Sequence, residues 1–181
     1  DVWHTDKLQR MLAALDGVDL AHSDARLVDG AGAPLGSTLL GSLEASAWER
    51  ERMTGGGALD ALLRRNLVTG ATVLVRRDAA VAALPVPDGW IHDEWIAMAC
   101  ALGGGVRLLE EPTIDYRQHG ANQIGVRSLT LREKLVRLTE PDSGSHDRKA
   151  RRAESLAREA ASRGLGTAAQ RARLAEKAAH E

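Results

Sequence analysis

The sequence predicts a layered α/β domain followed by a helical tail, and two observations support this prediction. Over residues 1–127, segments whose apolar residues recur with helical spacing alternate with short apolar or β-branched segments, a pattern typical of helices packed on a sheet. Residues 128–181 are mostly Ala, Arg, Glu and Leu and have helical spacing. A cluster of turn formers, TEPDSGSHD at 139–147, predicts a linker.

The composition limits the classes to which the protein can belong. Of its 181 residues, 44% are apolar, which is enough for one core of ordinary domain size. No apolar run approaches the roughly 20 residues that cross a bilayer, and the N-terminus lacks a signal-peptide profile. The formal net charge of −1 gives no overall attraction to nucleic acid. We therefore expect a cytoplasmic protein, either free or at the inner face of the membrane, whose function depends on a local site.

Charge and aromatic residues divide the chain into two chemically different parts. Residues 1–127 contain 12 Lys and Arg against 17 Asp and Glu, whereas 128–181 contain 12 against 8. All four tryptophans and the one tyrosine lie in the first part. We therefore predict a domain over 1–127 and a tail over 128–181. Since helical pattern begins soon after Asp1, which is not an initiator Met, we expect a chain cut from a longer one.

The first predicted element is a helix. Asp6 is a favoured N-cap residue, and Gly17 is a natural end. The apolar residues follow the i, i+3, i+4, i+7 pattern, so we expect one buried face, formed by Leu8, Met11, Leu12 and Leu15. Trp3 is expected to belong to the core.

The remaining elements of the first part alternate between strand and helix. Asp29-Gly30 predicts a turn, and a less regular Gly- and Ser-rich segment follows it. Cys100, within the apolar stretch AMACAL, is expected to be a small core residue. The predicted elements are a strand at 18–22, a helix at 59–63, a strand at 71–77, a helix at about 93–102 ended by glycines 103–105, and two short strands flanking Glu111-Pro112.

The tail is expected to be helical. The predicted helices are one carrying Leu129, Leu135 and Val136, one over about 148–163 and one over about 167–179. The last two present mainly alanine, with Leu156 and Leu174, to a partner. Such faces bury little apolar area and therefore give little stabilisation.

Four short segments contain most of the residues that could do chemistry: DVW at 1–3, TGAT at 69–72, HDEW at 92–95 and YRQHGAN at 116–122. In this order they resemble the family 2 glycosyltransferases of GT-A fold, and more closely the rhamnosyltransferase-like members. DVWHTDKL resembles the end of the family's acidic metal-binding motif, HDEW its catalytic-base motif and YRQHGAN its C-terminal histidine motif. The resemblance covers residues 1 to about 126.

The resemblance implies the C-terminal part of a GT-A, Rossmann-like, nucleotide-diphospho-sugar transferase fold, truncated at the N-terminus. Loss of a nucleoside diphosphate requires a cation to neutralise charge on the leaving oxygens. Mg²⁺ or Mn²⁺ would meet that need, and Asp1 and His119 are the expected protein ligands. Taken alone, Asp1 would be a solvated terminal carboxylate and His119 an ordinary loop histidine.

The HDEW segment is expected to supply the catalytic base. An inverting transfer needs a carboxylate to take the proton from the attacking hydroxyl, and Asp93 is the candidate. Its competing role is that of helix N-cap. Glu94 is the second candidate base, although it points about 100° away on a helix. Trp90 and Trp95 can stack on sugar rings, with core packing favoured for Trp95.

Several other residues are expected to contact the donor or acceptor. Gly70 would let the backbone approach a ligand closely, with an ordinary bulge as the alternative, and Thr69 and Thr72 would add hydroxyl contacts. Arg117 is expected on the diphosphate, unless it forms a surface salt bridge. Gly55 to Gly57, with no phosphate-loop signature after them, are expected to form a flexible loop.

The expected function is therefore metal-assisted, inverting transfer of a sugar from dTDP-rhamnose or a UDP-sugar to a glycan or lipid-linked acceptor in polysaccharide assembly. The piece alone is expected to be inactive. The alternative is a non-catalytic interaction module whose basic tail binds a membrane surface or an acidic partner. A metal-dependent hydrolase is a third possibility. It has less support, because the sequence has fewer closely spaced metal ligands than that class usually has.

Overall fold

The structure is a computed structural model that describes residues 1–118 and 143–180. These residues form two compact units. The first contains residues 1–86 and 91–118, and the second contains residues 87–90 together with the two C-terminal helices. Within the described residues, no helix combines the length and the apolar character needed to span a membrane.

The first unit is a mixed α/β fold, as predicted. Its strands are β1 (Val2–Trp3), β2 (Leu20–Val28), β3 (Pro34–Thr38), β4 (Val73–Val75) and β5 (Val106–Arg117). Its helices are α1 (Lys7–Ala14), α2 (Leu39–Ser42), α3 (Ala47–Thr54), α4 (Ala58–Leu62), α5 (Arg77–Ala82) and α6 (His92–Leu102), with a 3₁₀ turn at Gly70–Thr72.

The sheet is built around β2. Strand β5 runs parallel to β2 along its whole length, from Leu20 opposite Val106 to Val28 opposite Arg117. Strands β3 and β4 pair antiparallel with the other edge of β2, and β1 pairs antiparallel with the end of β5. The carboxyl ends of the two long parallel strands therefore lie side by side, with β1 next to them.

The predicted turn at Asp29-Gly30 is confirmed. The carboxylate of Asp29 accepts hydrogen bonds from the amides of Ala31 at 2.9 Å and Ala33 at 2.8 Å, which is how an aspartate stabilises a turn. The turn joins β2 to β3. The strand predicted over 18–22 continues to Val28, because the more polar residues after position 22 pair with both neighbouring strands.

The two short strands predicted around Glu111-Pro112 are one strand with an irregularity. The partner of β2 moves from Leu109 opposite Ser23 to Pro112 opposite Asp24, so extra residues bulge at this point. Proline lacks the amide hydrogen that a ladder needs, which explains why pairing is interrupted there rather than continued.

The buried face predicted for the first helix is partly wrong. Met11 and Leu15 are buried, but Leu8 is 52% exposed and Leu12 61% exposed. The buried face is shifted towards Lys7, which is only 3% exposed. The shift is possible because the Lys7 ammonium donates a hydrogen bond of 2.9 Å to the carbonyl of Ala71.

The prediction that Trp3 belongs to the core is also wrong. Its side chain is 57% exposed. Trp3 lies in the two-residue strand β1, which pairs with β5 on one side, and its ring contacts the ammonium of Lys7 at 4.9 Å from the centroid. An aromatic ring next to a cation is stabilised without being fully buried.

The strand predicted over 71–77 is shorter than expected. It spans Val73–Val75, follows the 3₁₀ turn and is followed by α5, which the sequence pattern did not predict. Helix α3 was likewise missed. Its N-terminus has a capping box, in which Ser46 and Glu49 bond each other's backbone amides, and this pairing is readable from the sequence as Ser-x-x-Glu.

The helix predicted over about 93–102 is confirmed as α6, and Gly103 follows its last residue. Trp95 is fully buried, and its indole N–H donates to the carbonyl of Ala83 at 2.6 Å, so the core role favoured for it is confirmed. Cys100 is 2% exposed, as predicted. Burial, with a smaller effect of Asp19, raises the pKa of its thiol to about 12.

The second unit contains α7 (Ser143–Arg163) and α8 (Ala168–His180). Leu156 and Leu174 are each 2% exposed, so the predicted apolar positions are buried. The linker predicted over 139–147 overlaps the start of α7 at Ser143, while its first residues lie outside the described ranges. The predicted helix carrying Leu129 and Val136 lies outside them as well.

Candidate functional site

Gly70 and Asp93, which the sequence places in separate segments, are in direct contact. The backbone N–H of Gly70 donates a hydrogen bond of 2.8 Å to Asp93 Oδ2. Gly70 begins the 3₁₀ turn before β4, immediately after Thr69, and Asp93 lies in the first turn of α6. The fold therefore brings the TGAT and HDEW segments together.

The absence of a side chain at position 70 leaves space beside this contact. A Cβ atom built on Gly70 would lie 3.2 Å from His92 Nε2 and 3.5 Å from Asp93 Oδ2. His92 was not among the predicted site residues, although it is the first residue of the HDEW segment. A methyl group at this position would therefore crowd the exposed His92 ring and make an ordinary contact with the Asp93 carboxylate.

A small cleft adjoins the contact between Gly70 and Asp93. Its volume is about 130 Å³, and its lining residues are Gly70, Val73, Val75, His92, Asp93 and Ile96. Apolar surface with a few polar groups is typical of small-molecule sites, although such sites usually measure ~300–1,000 Å³. A cleft of this size fits part of a ligand, such as one ring.

In the part of the chain that the structure describes, the carboxylate of Asp93 accepts hydrogen bonds from backbone amides only. Its Oδ2 accepts from Gly70, and its Oδ1 accepts from the amide of Glu94 at 2.8 Å. Among the described residues, no cationic side chain pairs with it. Ile91 occupies the N-cap position of α6, where no side chain caps the helix. Glu94, the second candidate base, is only 8% exposed.

Asp1 and Arg117 form a second contact between predicted site residues. Antiparallel pairing of β1 with β5 brings residue 1 to the end of β5, where the amide of Arg117 donates a hydrogen bond of 3.0 Å to Asp1 Oδ1. The other oxygen of Asp1 has no hydrogen-bond partner among the described residues. The Arg117 side chain lies beside Gly32, within about 4.0 Å of where a Cβ atom would be.

The predicted metal site is only partly described. His119, the second predicted ligand, lies outside the described residues. Within residues 1–118 and 143–180, no group of three or more His, Cys, Asp or Glu side chains is arranged to hold a metal ion. A carboxylate oxygen is a suitable ligand for Mg²⁺ or Mn²⁺, and Asp1 Oδ2 accepts no hydrogen bond from the residues that the structure describes.

Lys7 links the two contacts. Its ammonium bonds the carbonyl of Ala71, the residue after Gly70, and lies over the ring of Trp3, two residues after Asp1. Ala71 and Tyr116, the residue before Arg117, also pack against the same hydrophobic cluster. The cluster consists of Ala25, Leu27, Leu39 and Ile114. The 3₁₀ turn and the end of β5 are therefore attached to one part of the core.

Trp90 belongs to the second unit. Its indole N–H donates a hydrogen bond of 3.1 Å to Ser155 Oγ, and the guanidinium of Arg152 lies 4.5 Å from its ring centroid. One face of the ring is thus covered by a cation. Of the predicted sugar-stacking residues, Trp90 contacts α7 and Trp95 is in the core.

Two other carboxylates are held by side chains. Arg65 donates to both oxygens of Glu49, at 2.7 and 2.9 Å, and this bonding lowers the pKa of Glu49 to about 2. Asp115 accepts from Arg26 at 2.8 and 2.6 Å and contacts His4 at 2.9 Å. These hydrogen bonds, that of Arg26 first, lower the pKa of Asp115 to about 2.

A buried histidine lies at the centre of the sheet. His22, on β2, is 1% exposed, and neither ring nitrogen has a hydrogen-bond partner among the described residues. Burial lowers the pKa of its imidazole to about 4. The ring is therefore neutral at ordinary pH and packs as a core side chain.

A half-buried carboxylate, that of Asp93, is thus fixed by two amides beside a small cleft. Asp1, at the end of β5, is not among the residues that line this cleft. Comparisons of the chain with protein-family models, with curated proteins and with solved structures found no match.

Proposed function

We propose that residues 1–127 form the acceptor side of an inverting GT-A glycosyltransferase of family 2, with Asp93 as the catalytic base. The reaction would transfer a sugar from a nucleotide donor, dTDP-rhamnose or a UDP-sugar, to a hydroxyl of a glycan or lipid-linked acceptor. The contact between Gly70 and Asp93 is the observation that best supports this proposal. It joins two of the four segments that resemble the family.

The environment of Asp93 suits a base. An acceptor hydroxyl must lose its proton as its oxygen attacks the anomeric carbon. Two backbone amides orient the carboxylate, and no cationic side chain among the described residues pairs with it. The adjoining cleft offers apolar surface for a ring and backbone that a ligand can approach closely at Gly70. Thr69 would add a hydroxyl contact there.

The leaving diphosphate would be bound at the end of β5. Asp1, with His119 as its expected partner, would hold Mg²⁺ or Mn²⁺. The cation supplies positive charge to the leaving oxygens. Asp1 itself is oriented by the amide of Arg117, and the Arg117 guanidinium would add charge-assisted hydrogen bonds to the diphosphate.

Calorimetry with UDP and dTDP, with and without Mn²⁺, tests the donor side. The titrations use the chain and a version extended by its native upstream residues, because the family resemblance assigns base and ribose binding to strands before Asp1. We expect Mn²⁺-dependent binding by the extended version and weak or absent binding by the chain. Binding unaffected by Mn²⁺, or absent from both versions, would contradict the proposal.

Product analysis tests the chemistry. The extended version is incubated with dTDP-rhamnose or a UDP-sugar and a hydroxyl-bearing glycan acceptor, and transferred sugar is compared with free sugar. A transferase gives mainly glycosylated acceptor with inverted anomeric configuration. Release of free sugar alone would identify a hydrolase instead.

A further inference from the structure

We infer that Lys7 is a positioning residue that holds the Gly70–Thr72 turn so that the Gly70 amide faces Asp93. The catalytic meaning of this inference rests on the proposed function. The contacts on which it depends do not, because they join described residues of the first unit.

Lys7 is unusual in being a buried lysine that pairs with no carboxylate among residues 1–118 and 143–180. It is 3% exposed, whereas lysine is almost never fully buried unless it is paired. Among the described residues, its ammonium contacts the Ala71 carbonyl and the Trp3 ring. Burial lowers the pKa of Lys7. Burying this ammonium costs free energy, and a carbonyl dipole and an aromatic face offset part of that cost.

The partner of Lys7 lies within the turn that contacts Asp93. The turn is closed internally, since Thr72 donates to the carbonyl of Thr69 from its amide at 2.8 Å and from its hydroxyl at 2.7 Å. This internal closure fixes the shape of the turn but not its orientation on the sheet. The bond from Lys7 to Ala71 attaches the turn to α1.

The same ammonium also attaches β1. Trp3 lies over Lys7, and the strand that contains Trp3 carries Asp1 to the amide of Arg117. One side chain therefore contacts both the segment with the predicted base contact and the segment with the predicted metal ligand. A residue in this position would fix the spacing between them.

Amide hydrogen exchange at Gly70, followed by NMR, tests the inference without any nucleotide sugar. Lys7→Met keeps an unbranched side chain one heavy atom shorter and removes the donors and the charge. We expect exchange at Gly70 to rise at least tenfold, while the Leu20 amide, which is bonded within the sheet to the carbonyl of Gly105, changes less than twofold. The result therefore separates this inference from the failure of glycosyl transfer.

Arg10→Met is the matched control. It removes one positive charge from the same helix, and the contacts of Arg10 are with Asp6, Glu111 and the Pro112 carbonyl rather than with the turn. We expect Gly70 exchange in this variant to stay within twofold of the parent. An equal rise in both variants, or none in Lys7→Met, would overturn the inference.

Chemical rescue covers the case in which Lys7→Met does not fold. The variant Lys7→Cys, in a Cys100→Ala background, is alkylated while unfolded and is then refolded. One sample receives an aminoethyl group, which restores an ammonium, and the other receives a neutral propyl group. The aminoethyl form should protect the Gly70 amide at least tenfold more than the propyl form. Equal protection in the two folded forms would show that the ammonium does not position the turn.

Discussion

The carboxylates of this molecule are held in two different ways. Glu49 and Asp115 are paired with guanidinium groups, and those hydrogen bonds lower the pKa of each carboxyl to about 2. Asp93 is equally well bonded, but its donors are the amides of Gly70 and Glu94. Among the described residues it has no cationic partner.

The type of hydrogen-bond donor determines which role each carboxylate can have. A carboxylate paired with arginine is stabilised as an anion and resists protonation, so it serves to connect elements of the fold. A carboxylate fixed by backbone amides is oriented without being tied to another side chain, and this arrangement fits the base role proposed for Asp93. The predictions below separate stability from chemistry on this basis.

The largest expected effect on stability is the acid sensitivity of His22. Its folded pKa of about 4 is below the usual value of 6.5, so the unfolded chain binds the extra proton first as pH falls. The contribution of His22 to the free energy of unfolding is therefore fully present above pH 6.5. It is lost between pH 6.5 and 4, by about 3 kcal/mol in total. Urea unfolding at several pH values measures this loss.

His22→Leu removes the titrating ring, and we expect it to flatten the dependence between pH 6.5 and 4.5. His92→Gln, a change at an exposed histidine, should leave it unchanged. Loss of stability that begins only below pH 4.5 would point to Glu49 and Asp115, since those carboxylates lose their pairing only when they become protonated.

The next largest effect is expected at Glu49. Glu49→Gln removes the anion that Arg65 contacts through two bonds and leaves a partly buried guanidinium with weaker acceptors. We expect a loss of about 2 kcal/mol in the free energy of unfolding. Glu51→Gln, on the exposed side of the same helix, should change it by less than about 0.5 kcal/mol. Equal effects of the two variants would show that the Glu49–Arg65 pair adds nothing.

A smaller effect on stability is expected at Gly70. Gly70→Ala brings a methyl group to 3.2 Å from His92 Nε2, which the exposed imidazole can relieve by moving. We expect a change of less than about 1 kcal/mol in the free energy of unfolding. In the version extended by native upstream residues, sugar transfer should nevertheless fall about tenfold, since the methyl group fills space next to the proposed base.

Gly30→Ala is the control for Gly70→Ala, because a Cβ atom at Gly30 meets nothing within 4 Å. Transfer by this variant should equal that of the parent. If Gly70→Ala retained full transfer, the close approach at that position would have no role in the reaction.

The sequence predicted the elements whose signals are local. The turn at Asp29 depends on its own carboxylate, and α6 is bounded by Pro87 and Gly103, so short-range chemistry defines both. The capping box of Ser46 and Glu49 is equally local, and a search for that pattern could have located α3. The contact between Glu49 and Arg65, in contrast, joins residues that no short motif connects.

The sequence was a poor guide where a distant partner decides the outcome. Leu8 and Lys7 lie on adjoining faces of α1, and the apolar pattern favoured burial of Leu8. Lys7 is buried instead because the Ala71 carbonyl and the Trp3 ring lie above it, and both come from other segments. The contact of Gly70 with Asp93 is of the same kind, and the sequence indicated only that the two belong to one site.

The most direct test of the central claim compares Asp93→Asn with Asp115→Asn in the version extended by native upstream residues, measuring sugar transfer and the free energy of unfolding for both. For Asp93→Asn we predict at least a 100-fold loss of transfer with a stability loss of about 1–2 kcal/mol, because asparagine offers one acceptor oxygen to two amide donors. For Asp115→Asn we predict the reverse order, in which stability is affected more than transfer. Full transfer by the folded Asp93→Asn variant would contradict the account.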